Sequence, residues 1–291
     1  MIETSWLRAL AAFAQDPNLS RTAHLLHLTQ PAVHAQLRKL SEALGAPLYR
    51  REGRGLVLTA EGVEAAAFAR DFEERARELR ARVGGGARQD HVVLAAGTGA
   101  LLYVVGPGLK AFTKRHGGRL EVLSADGAAS VDAVRSGLAH VGVAALDLPP
   151  AGLEVQPLST VEQVLVTPRD HRLAKRRRVA IADLAGERLV LPPRGRPHRA
   201  MIEAALAAAR TKVVEGATAR GWELTIKLVE LGMGLAIVNG CCHVPRTLAC
   251  RRLLQLPPVS YVAFRRPDGR PSSTALLRTL VEHGDDWRGA T

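Results

Sequence analysis

Residues 19–44 read LSRTAHLLHLTQPAVHAQLRKLSEAL, and this stretch decides the fold of the first part of the chain. Ser20 can cap a first short helix, and Thr29 can cap a second one. Pro31 falls in the first turn of that second helix, where a missing N–H costs nothing. Apolar residues recur at helical spacing until Gly45, which is typical of a helix end: Val33, Leu37, Leu40 and Leu44. The pattern predicts two helices joined by a tight turn.

The flanking residues complete a small domain. Apolar residues at helical spacing before Asp16-Pro17 predict an amphipathic helix: Trp6, Leu7, Leu10 and Phe13. Residues 47–58 hold two short apolar runs around a Gly- and Arg-rich turn, which is typical of a β-hairpin. A plain three-helix bundle with a polar surface is the alternative, but the order of the parts favours a winged helix-turn-helix domain over residues 1–58.

The predicted recognition helix carries the chemistry that reads double-stranded DNA. A major groove of roughly 12 Å admits one α-helix, whose N-terminal residues meet the base edges. Gln30, His34 and Gln36 lie in its first two turns, where their side chains can donate and accept hydrogen bonds. Basic side chains further along the helix and on the hairpin can bind phosphates: Arg38, Arg50 and Arg54.

The pattern of predicted secondary structure changes in the rest of the chain. A helix to about residue 83 precedes Gly84-Gly85-Gly86, which predicts a linker. Strands and helices then alternate, which predicts an α/β fold with a largely parallel sheet, built as two lobes around a cleft. Within this pattern we expect one helical stretch after Gly99 to about residue 116, and a strand over 212–215.

The head resembles the DNA-binding head of LysR-type transcriptional regulators, without gaps over about sixty residues. The matching stretches are 19–23, 28–33, 36–40 and 44–51, continuing to Gly62. The resemblance implies that residues which match the family pattern contact or position DNA: Gln30, Pro31, Gln36, Arg38 and Arg54. The family usually has Ser-Arg where this chain has His34-Ala35. We therefore expect DNA binding with an altered base preference.

The resemblance also implies the remaining architecture. Residues 59–89 would form a linker and dimerisation helix, which we favour over the alternative that its balanced charge allows, a single solvated helix. Residues 90–291 would form an effector-binding domain with the fold of periplasmic solute-binding proteins. Lobe I would span about 90–160 and 258–291, and lobe II about 161–257. A dimer or tetramer would read half-sites about 34 Å apart, so the operator would be a near-palindrome.

A small-molecule effector is the second expected partner. In such folds a ligand lies at strand ends against helix N-termini, where free N–H groups favour an anion. The candidate contacts are in the loops at those ends: Thr98, Gly99, Ala100, Asp126, Gly127, Pro193, Arg194 and Thr218. Residues 89–291 contain 27 basic and 18 acidic residues, a net charge of +9, which favours an anionic effector.

Composition limits the remaining function classes. The net charge of +12 favours polyanionic partners, although Arg-rich composition alone also produces it. No secretion signal or membrane span is visible, and three cysteines are too few for a disulfide framework, so we expect a cytoplasmic protein. No cofactor, metal site or hydrolase motif is predicted, and an enzyme is not expected. Two alternatives remain: a thiol-based redox sensor using Cys241, Cys242 or Cys250, and an enzyme that uses the α/β cleft.

Overall fold

The computed structural model describes residues 2–53, 55–83, 91–117, 119–146 and 148–289. The N-terminal head is a winged helix-turn-helix, as predicted. Its elements are α1 (Thr4–Phe13), α2 (Leu19–Leu26), α3 (Gln30–Leu44), β1 (Tyr49–Glu52) and β2 (Gly55–Leu58). Strands β1 and β2 pair antiparallel as the wing.

The caps of the head helices differ in one place from the prediction. Asn18, and not Ser20, caps α2, because its side chain accepts hydrogen bonds from the backbone N–H groups of Ser20 and Arg21. Ser20 therefore lies inside the helix. Thr29 caps α3 as predicted, accepting from the N–H of Ala32 at 3.4 Å. Gly45 ends α3 in the left-handed conformation at φ 72°.

The head encloses its own apolar core. The inner face of α3 is fully buried at Val33, Leu37 and Leu40, whereas Leu44 at the end of the helix is exposed. Phe13 of α1 meets the Tyr49 ring of the wing, with ring centroids 5.2 Å apart. The head is thus a packed unit that leaves the outer face of α3 in solvent.

The linker helix α4 (Ala60–Val83) begins directly under the wing. Thr59 Oγ1 donates to the Pro47 carbonyl at 2.6 Å and accepts from the Gly62 N–H at 3.0 Å. A Cβ atom at Gly62 would lie 1.8 Å from the Leu48 carbonyl oxygen, so only glycine permits this close approach. The start of α4 is therefore fixed to the head. The Gly84-Gly85-Gly86 linker predicted after it lies outside the described residues.

Lobe I is built on a five-stranded sheet in the order β4-β3-β5-β13-β6. Its strands are β3 (His91–Ala96), β4 (Arg119–Ser124), β5 (Val141–Ala145), β6 (Glu154–Val161) and β13 (Val259–Arg265). Its helices are α5 (Thr98–Tyr103), α6 (Gly106–His116), α7 (Gly127–Arg135) and α10 (Pro271–Glu282). The single helical stretch expected up to residue 116 is wrong, since Gly106 and the proline after it start a new helix.

Lobe II is built on a six-stranded sheet in the order β10-β9-β11-β7-β12-β8. Its strands are β7 (Gln163–Pro168), β8 (Arg178–Val179), β9 (Arg188–Leu191), β10 (Val214–Thr218), β11 (Leu235–Asn239) and β12 (Leu248–Leu253). Its helices are α8 (Pro197–Ala208) and α9 (Trp222–Glu230), with 3-10 turns at Arg172–Lys175 and Ile181–Leu184. The strand expected at 212–215 begins two residues later, at Val214. The backbone carbonyl of Lys212 accepts from the Gly186 N–H outside the strand.

The two lobes are joined by two crossings of the chain. Only Glu162 separates β6 from β7, and residues 254–258 connect β12 to β13. The strands next to the crossings run antiparallel to their neighbours: β13 pairs antiparallel with β5 and β6, and β7 with β11 and β12. Both sheets are therefore mixed, and the expectation of a largely parallel sheet is wrong. Within the described ranges, no helix is long and apolar enough to cross a membrane.

Candidate DNA-reading surface and effector cleft

The start of α3 presents the polar residues predicted to read bases. Gln30, Pro31 and His34 are exposed, and Gln36 is half-buried. Ser20 Oγ donates to Gln30 Oε1 at 3.2 Å, so α2 orients the first polar side chain of α3. Thr29 at the cap accepts from the helix backbone, which leaves its own hydroxyl hydrogen free to donate outward.

Basic residues flank this surface, and ion pairs hold two of them. Arg38 Nε lies 3.4 Å from Glu42 Oε1, one turn further along α3. Arg50 on the wing lies 2.5 Å from Glu52. Both pairs are solvent-exposed and weak, so a phosphate can displace the carboxylate. Arg54, at the tip of the predicted wing, lies outside the described residues.

Asp126 and Arg196 join the lobes across the cleft. Asp126 caps α7 by accepting from the Ala129 N–H at 3.2 Å, and its second oxygen lies 3.0 Å from Arg196 Nη1, next to the start of α8. The hydrogen bond from Arg196, and then that from Ala129, lower the pKa of the Asp126 carboxyl. The pair is therefore ionised at neutral pH. Arg196 is a cleft residue that the sequence analysis missed.

Gly99 and Trp222 form a second contact across the cleft. A Cβ atom at Gly99 would lie 2.6 Å from Cδ1 and 2.7 Å from Nε1 of Trp222, the first residue of α9. The Trp222 ring also stands edge-on to His198, with centroids 4.7 Å apart. Tyr103 at the end of α5 packs against the apolar core of lobe II. Burial, followed by the interaction with Glu223 of α9, raises the pKa of the tyrosine. Residues of the two lobes are therefore in direct contact across the cleft in this structure.

His198 and Gln163 form a polar cluster in lobe II beside Trp222. His198 Nε2 lies 3.2 Å from Gln163 Oε1, while its Nδ1 is buried without a hydrogen-bond partner among the described residues. Burial lowers the pKa of His198 to about 4, so the ring is neutral at pH 7. Neutral imidazole hydrogen-bonded in this way offers Nδ1 as an acceptor to a ligand. Sequence spacing gave no signal for this cluster, because its members come from β7, α8 and α9.

The other residues predicted to contact an effector differ in how far their side chains are exposed to solvent. Thr98 hydrogen-bonds Ser124 at 3.0 Å, both within lobe I. Gly127 starts α7, and a Cβ atom there would lie 3.4 Å from the Leu146 side chain. Ala100 is only 3% exposed and packs in the lobe I core, so its methyl group cannot contact a ligand.

In lobe II, Thr218 donates to Glu215 at 2.6 Å. Arg194 is exposed in the turn before α8, and Pro193 beside it is half-buried. Of the eight predicted residues, Gly99 and Asp126 contact the opposite lobe.

A buried ionic cluster joins the linker helix to lobe I. Glu74 of α4 hydrogen-bonds His91 and His140, both at 3.2 Å, and lies 2.9 Å from Arg270. Burial alone would raise the pKa of Glu74, but the bond from His140 and the positive charge of Arg270 outweigh it and hold the pKa at about 2. Arg270 also contacts Asp71 at 2.9 Å. This face of α4 is therefore an interface with lobe I, which the alternative of a single solvated helix does not describe.

The three cysteines are free thiols, and each has a different environment. Both Cys241 and Cys242 follow β11 of lobe II; Cys241 is buried in the core of lobe I and Cys242 in that of lobe II. Cys250 lies on β12. Cys250 is exposed, but partial desolvation of its sulfur raises the pKa of the thiol, which disfavours the reactive thiolate. Among the described residues, no group of three or more His, Cys, Asp or Glu side chains could hold a metal ion.

A winged helix-turn-helix head, a linker helix and a two-lobed α/β domain together define a class: DNA-binding regulators with an attached sensing domain. Residues 4–63 match the family model "Bacterial regulatory helix-turn-helix protein, lysR family", and residues 85–285 match "LysR substrate binding domain". The chain belongs to the LysR family and is a transcription regulator with an effector-binding domain. This family consists of transcriptional regulators and not of enzymes.

Relatives of known name support the same assignment. The chain is 28% identical over 289 residues to the RuBisCO operon transcriptional regulator of Allochromatium vinosum, covering 94% of each chain. It is 30% identical over 302 residues to CbbR of Xanthobacter flavus, covering 96% of this chain and 87% of the relative.

Solved structures share the fold along the whole chain. A full-length OxyR variant from Pseudomonas aeruginosa matches with a TM-score of 0.70 at 18% identity, covering 96% of this chain and 95% of its own. Full-length CbnR in complex with its target DNA matches with a TM-score of 0.60 at 22% identity, covering 97% and 99%.

Proposed function

We propose that this regulator reads a near-palindromic operator through the first two turns of α3. The observation that carries the proposal is the contrast between the two faces of that helix. Val33, Leu37 and Leu40 are fully buried, so the helix cannot rotate, while Gln30 and His34 stand in solvent at its N-terminal end. This is the end of a recognition helix that meets base edges.

Within this proposal the remaining contacts have distinct roles. Gln30 and His34 read bases, with Gln36 beside them. Thr29, Ser20 and Pro31 set the start of the helix against the DNA backbone, and the basic side chains bind phosphates: Arg38, Arg50 and Arg54. His34-Ala35 replaces the usual Ser-Arg of the family, so the operator differs from the family's commonest sequence.

We further propose that a small molecule bound between lobes I and II controls the head. Contacts across the cleft support this proposal, since Asp126, Gly99 and Tyr103 of lobe I all meet residues of lobe II. A ligand that binds the closed or the open arrangement more tightly shifts the equilibrium between them. Thr98, Gly127, Pro193, Arg194, Thr218 and the Ala100 backbone complete the proposed contact set. Arg194 and the net charge of the domain favour an anionic effector.

Self-association is proposed through the linker helix. Phe68 and Phe72 stack on the outer face of α4 with centroids 6.5 Å apart, and they are 58% and 38% exposed. Two exposed aromatic rings on one helix face favour burial against a second copy. Changing Phe68 to Glu should convert a dimer or tetramer to a smaller species in sedimentation, whereas Leu148→Glu, at an 80% exposed site in lobe I, should not. As a DNA-binding protein it would act in the cytoplasm.

The direct test of the proposed head surface is binding to DNA upstream of the protein's own gene. Gln30→Ala should weaken specific binding by about tenfold or more, because one good base contact contributes that much discrimination. Gln156→Ala removes the same side chain from an exposed position on β6 of lobe I and should bind normally. Unchanged binding by Gln30→Ala would contradict the proposed surface.

A further inference from the structure

Ten residues of lobe II carry a large part of the positive charge that lies outside the head. Residues 169–178 read RDHRLAKRRR, with six lysine and arginine side chains and Asp170 as the one acidic residue. The chain as a whole has 40 basic residues in 291, so an arginine-rich composition alone does not produce six in ten. The segment follows β7, forms the 3-10 turn Arg172–Lys175 and ends in β8. The positive charge is therefore concentrated along one short run of backbone.

The fold places two further arginines beside this segment. Strand β8 lies at the edge of the lobe II sheet, and its Arg178 pairs in parallel register with Arg252 of β12. Neighbouring strands lie about 4.8 Å apart, so two like charges stand side by side, which is destabilising. Arg251, the preceding residue of β12, donates from Nε to the Ala174 carbonyl at 2.7 Å and is thereby held against the 3-10 turn. An anionic partner offsets the repulsion that this arrangement creates.

The basic edge of lobe II consists of eight side chains: Arg169, Arg172, Lys175, Arg176, Arg177, Arg178, Arg251 and Arg252. Within the described residues, three of them are ion-paired at 2.6–3.3 Å: Arg172 with Glu187, Arg176 with Asp183 and Arg252 with Glu162. Lys175, Arg177 and Arg178 are exposed and have no ion-pair partner in that part of the chain. When Asp170 is included, four carboxylates accompany eight cations, so the surplus charge is positive.

We propose that the basic edge is a second contact for double-stranded DNA, one that binds phosphates without reading the base sequence. Duplex DNA carries one negative charge per about 1.7 Å of its axis, so it can neutralise several neighbouring cations at once. Seven of the eight side chains are arginines, whose planar guanidinium groups bind phosphate through two hydrogen bonds. Because the head holds DNA on the same chain, the local concentration of duplex at lobe II is raised. The basic edge shares no residue with α3 or with the proposed effector contacts.

The experiment measures the fluorescence anisotropy of a labelled mixed-sequence duplex of about 60 base pairs with the full-length chain at several salt concentrations. The double variant Arg177→Ala and Arg178→Ala removes two exposed cations of the basic edge. We expect the slope of log affinity against log salt to fall by about two and the affinity to weaken by about tenfold or more. Since both side chains are exposed, the variant is expected to fold, and an unchanged urea midpoint checks this.

Two other variants separate the basic edge from the head and from general charge. Arg188→Ala combined with Lys212→Ala removes two exposed cations next to the opposite edge of the same sheet and should keep the wild-type slope. Arg38→Ala removes one proposed phosphate contact of the head and should lower the slope by about one. If Arg38→Ala lowers the slope and the basic-edge variant does not, the head binds DNA and the basic edge does not. Equal changes in the two double variants overturn the proposal as well, because the attraction is then diffuse.

An acidic protein is the competing partner for a surface of this charge. Poly-L-glutamate, titrated under the same salt conditions, presents carboxylates in place of phosphates. We expect the basic-edge variant to lose more affinity for the duplex than for poly-L-glutamate, because the charges of the duplex are more closely spaced. A loss confined to poly-L-glutamate would assign the basic edge to an acidic protein and overturn the proposed DNA contact.

Discussion

Asp126 and Arg196 connect lobe I to lobe II through an ion pair of 3.0 Å between Oδ2 and Nη1. The two side chains are 45% and 33% exposed, so the pair contributes little to the stability of either lobe. It instead biases the lobes toward each other, because each partner is fixed at a helix start by its own lobe. Breaking the pair should therefore change how closely the two lobes approach each other, with little change in the unfolding free energy.

Asp126→Asn tests this role, because asparagine keeps the cap of α7 and loses the charge. We expect faster amide hydrogen exchange at the start of α8 and unchanged exchange in α7, with a loss of unfolding free energy below about 1 kcal/mol. Asp183→Asn, which breaks a pair with Arg176 inside lobe II, is the control and should leave the start of α8 unchanged. Equal exchange at α8 in wild type and Asp126→Asn would mean that other contacts hold the lobes.

Gly99→Ala tests the contact with Trp222. The added methyl group would lie 2.6 Å from the indole ring, so the ring or the lobe must move. We expect a loss of about 1–3 kcal/mol in the unfolding free energy and a shift in tryptophan fluorescence. Gly106→Ala is the matched control, since no atom lies within 4 Å of its added Cβ and its backbone suits alanine. If both variants behave alike, Trp222 does not rest on Gly99.

Local sequence rules predicted the head, whereas the cleft contacts required the packing of distant elements. The cap at Thr29 and the left-handed end at Gly45 depend on neighbours a few residues away. The prediction of Ser20 as a cap is wrong because Asn18, two residues earlier, is also a favourable cap residue and its side chain accepts from the helix N–H groups. Arg196 and Trp222 meet Asp126 and Gly99 from about 70 and 120 positions away in the chain. No periodicity could have paired them.

Glu74→Gln tests the attachment of the linker helix to lobe I. Glu74 is one of the carboxylates that contact Arg270, whose side chain is only 7% exposed, and Asp71 is another. Breaking a buried pair in this way costs about 3 kcal/mol. We expect a lower urea midpoint for Glu74→Gln and a change within about 0.5 kcal/mol for Glu73→Gln, the adjacent carboxylate. Equal midpoints for the two variants would show that the cluster does not stabilise the junction.

The same residue predicts a specific response to acid. The pKa of Glu74 is about 2 in the folded chain, below its ordinary value of 4.5. Its contribution to stability is therefore fully present above about pH 4.5 and is lost as the pH falls toward 2. The difference in urea midpoint between wild type and Glu74→Gln should stay constant from pH 7 to about 4.5 and shrink below it. A difference that shrinks already between pH 7 and 5 would contradict the assignment of the effect to the Glu74 carboxyl.

Ala35→Arg tests whether the departure from the family pattern changes DNA recognition. Ala35 lies in the second turn of α3 beside the exposed His34, where an added guanidinium can reach a base or a phosphate. We expect tighter binding to DNA and a salt dependence steeper by about one counterion. Ala43→Arg adds the same charge at the exposed far end of α3 and should have a smaller effect, since that end points away from the groove. If both variants tighten binding equally on operator and unrelated DNA, the gain is general electrostatic attraction. A gain limited to Ala35→Arg, accompanied by a changed preference among operator sequences, assigns base reading to this turn of the helix.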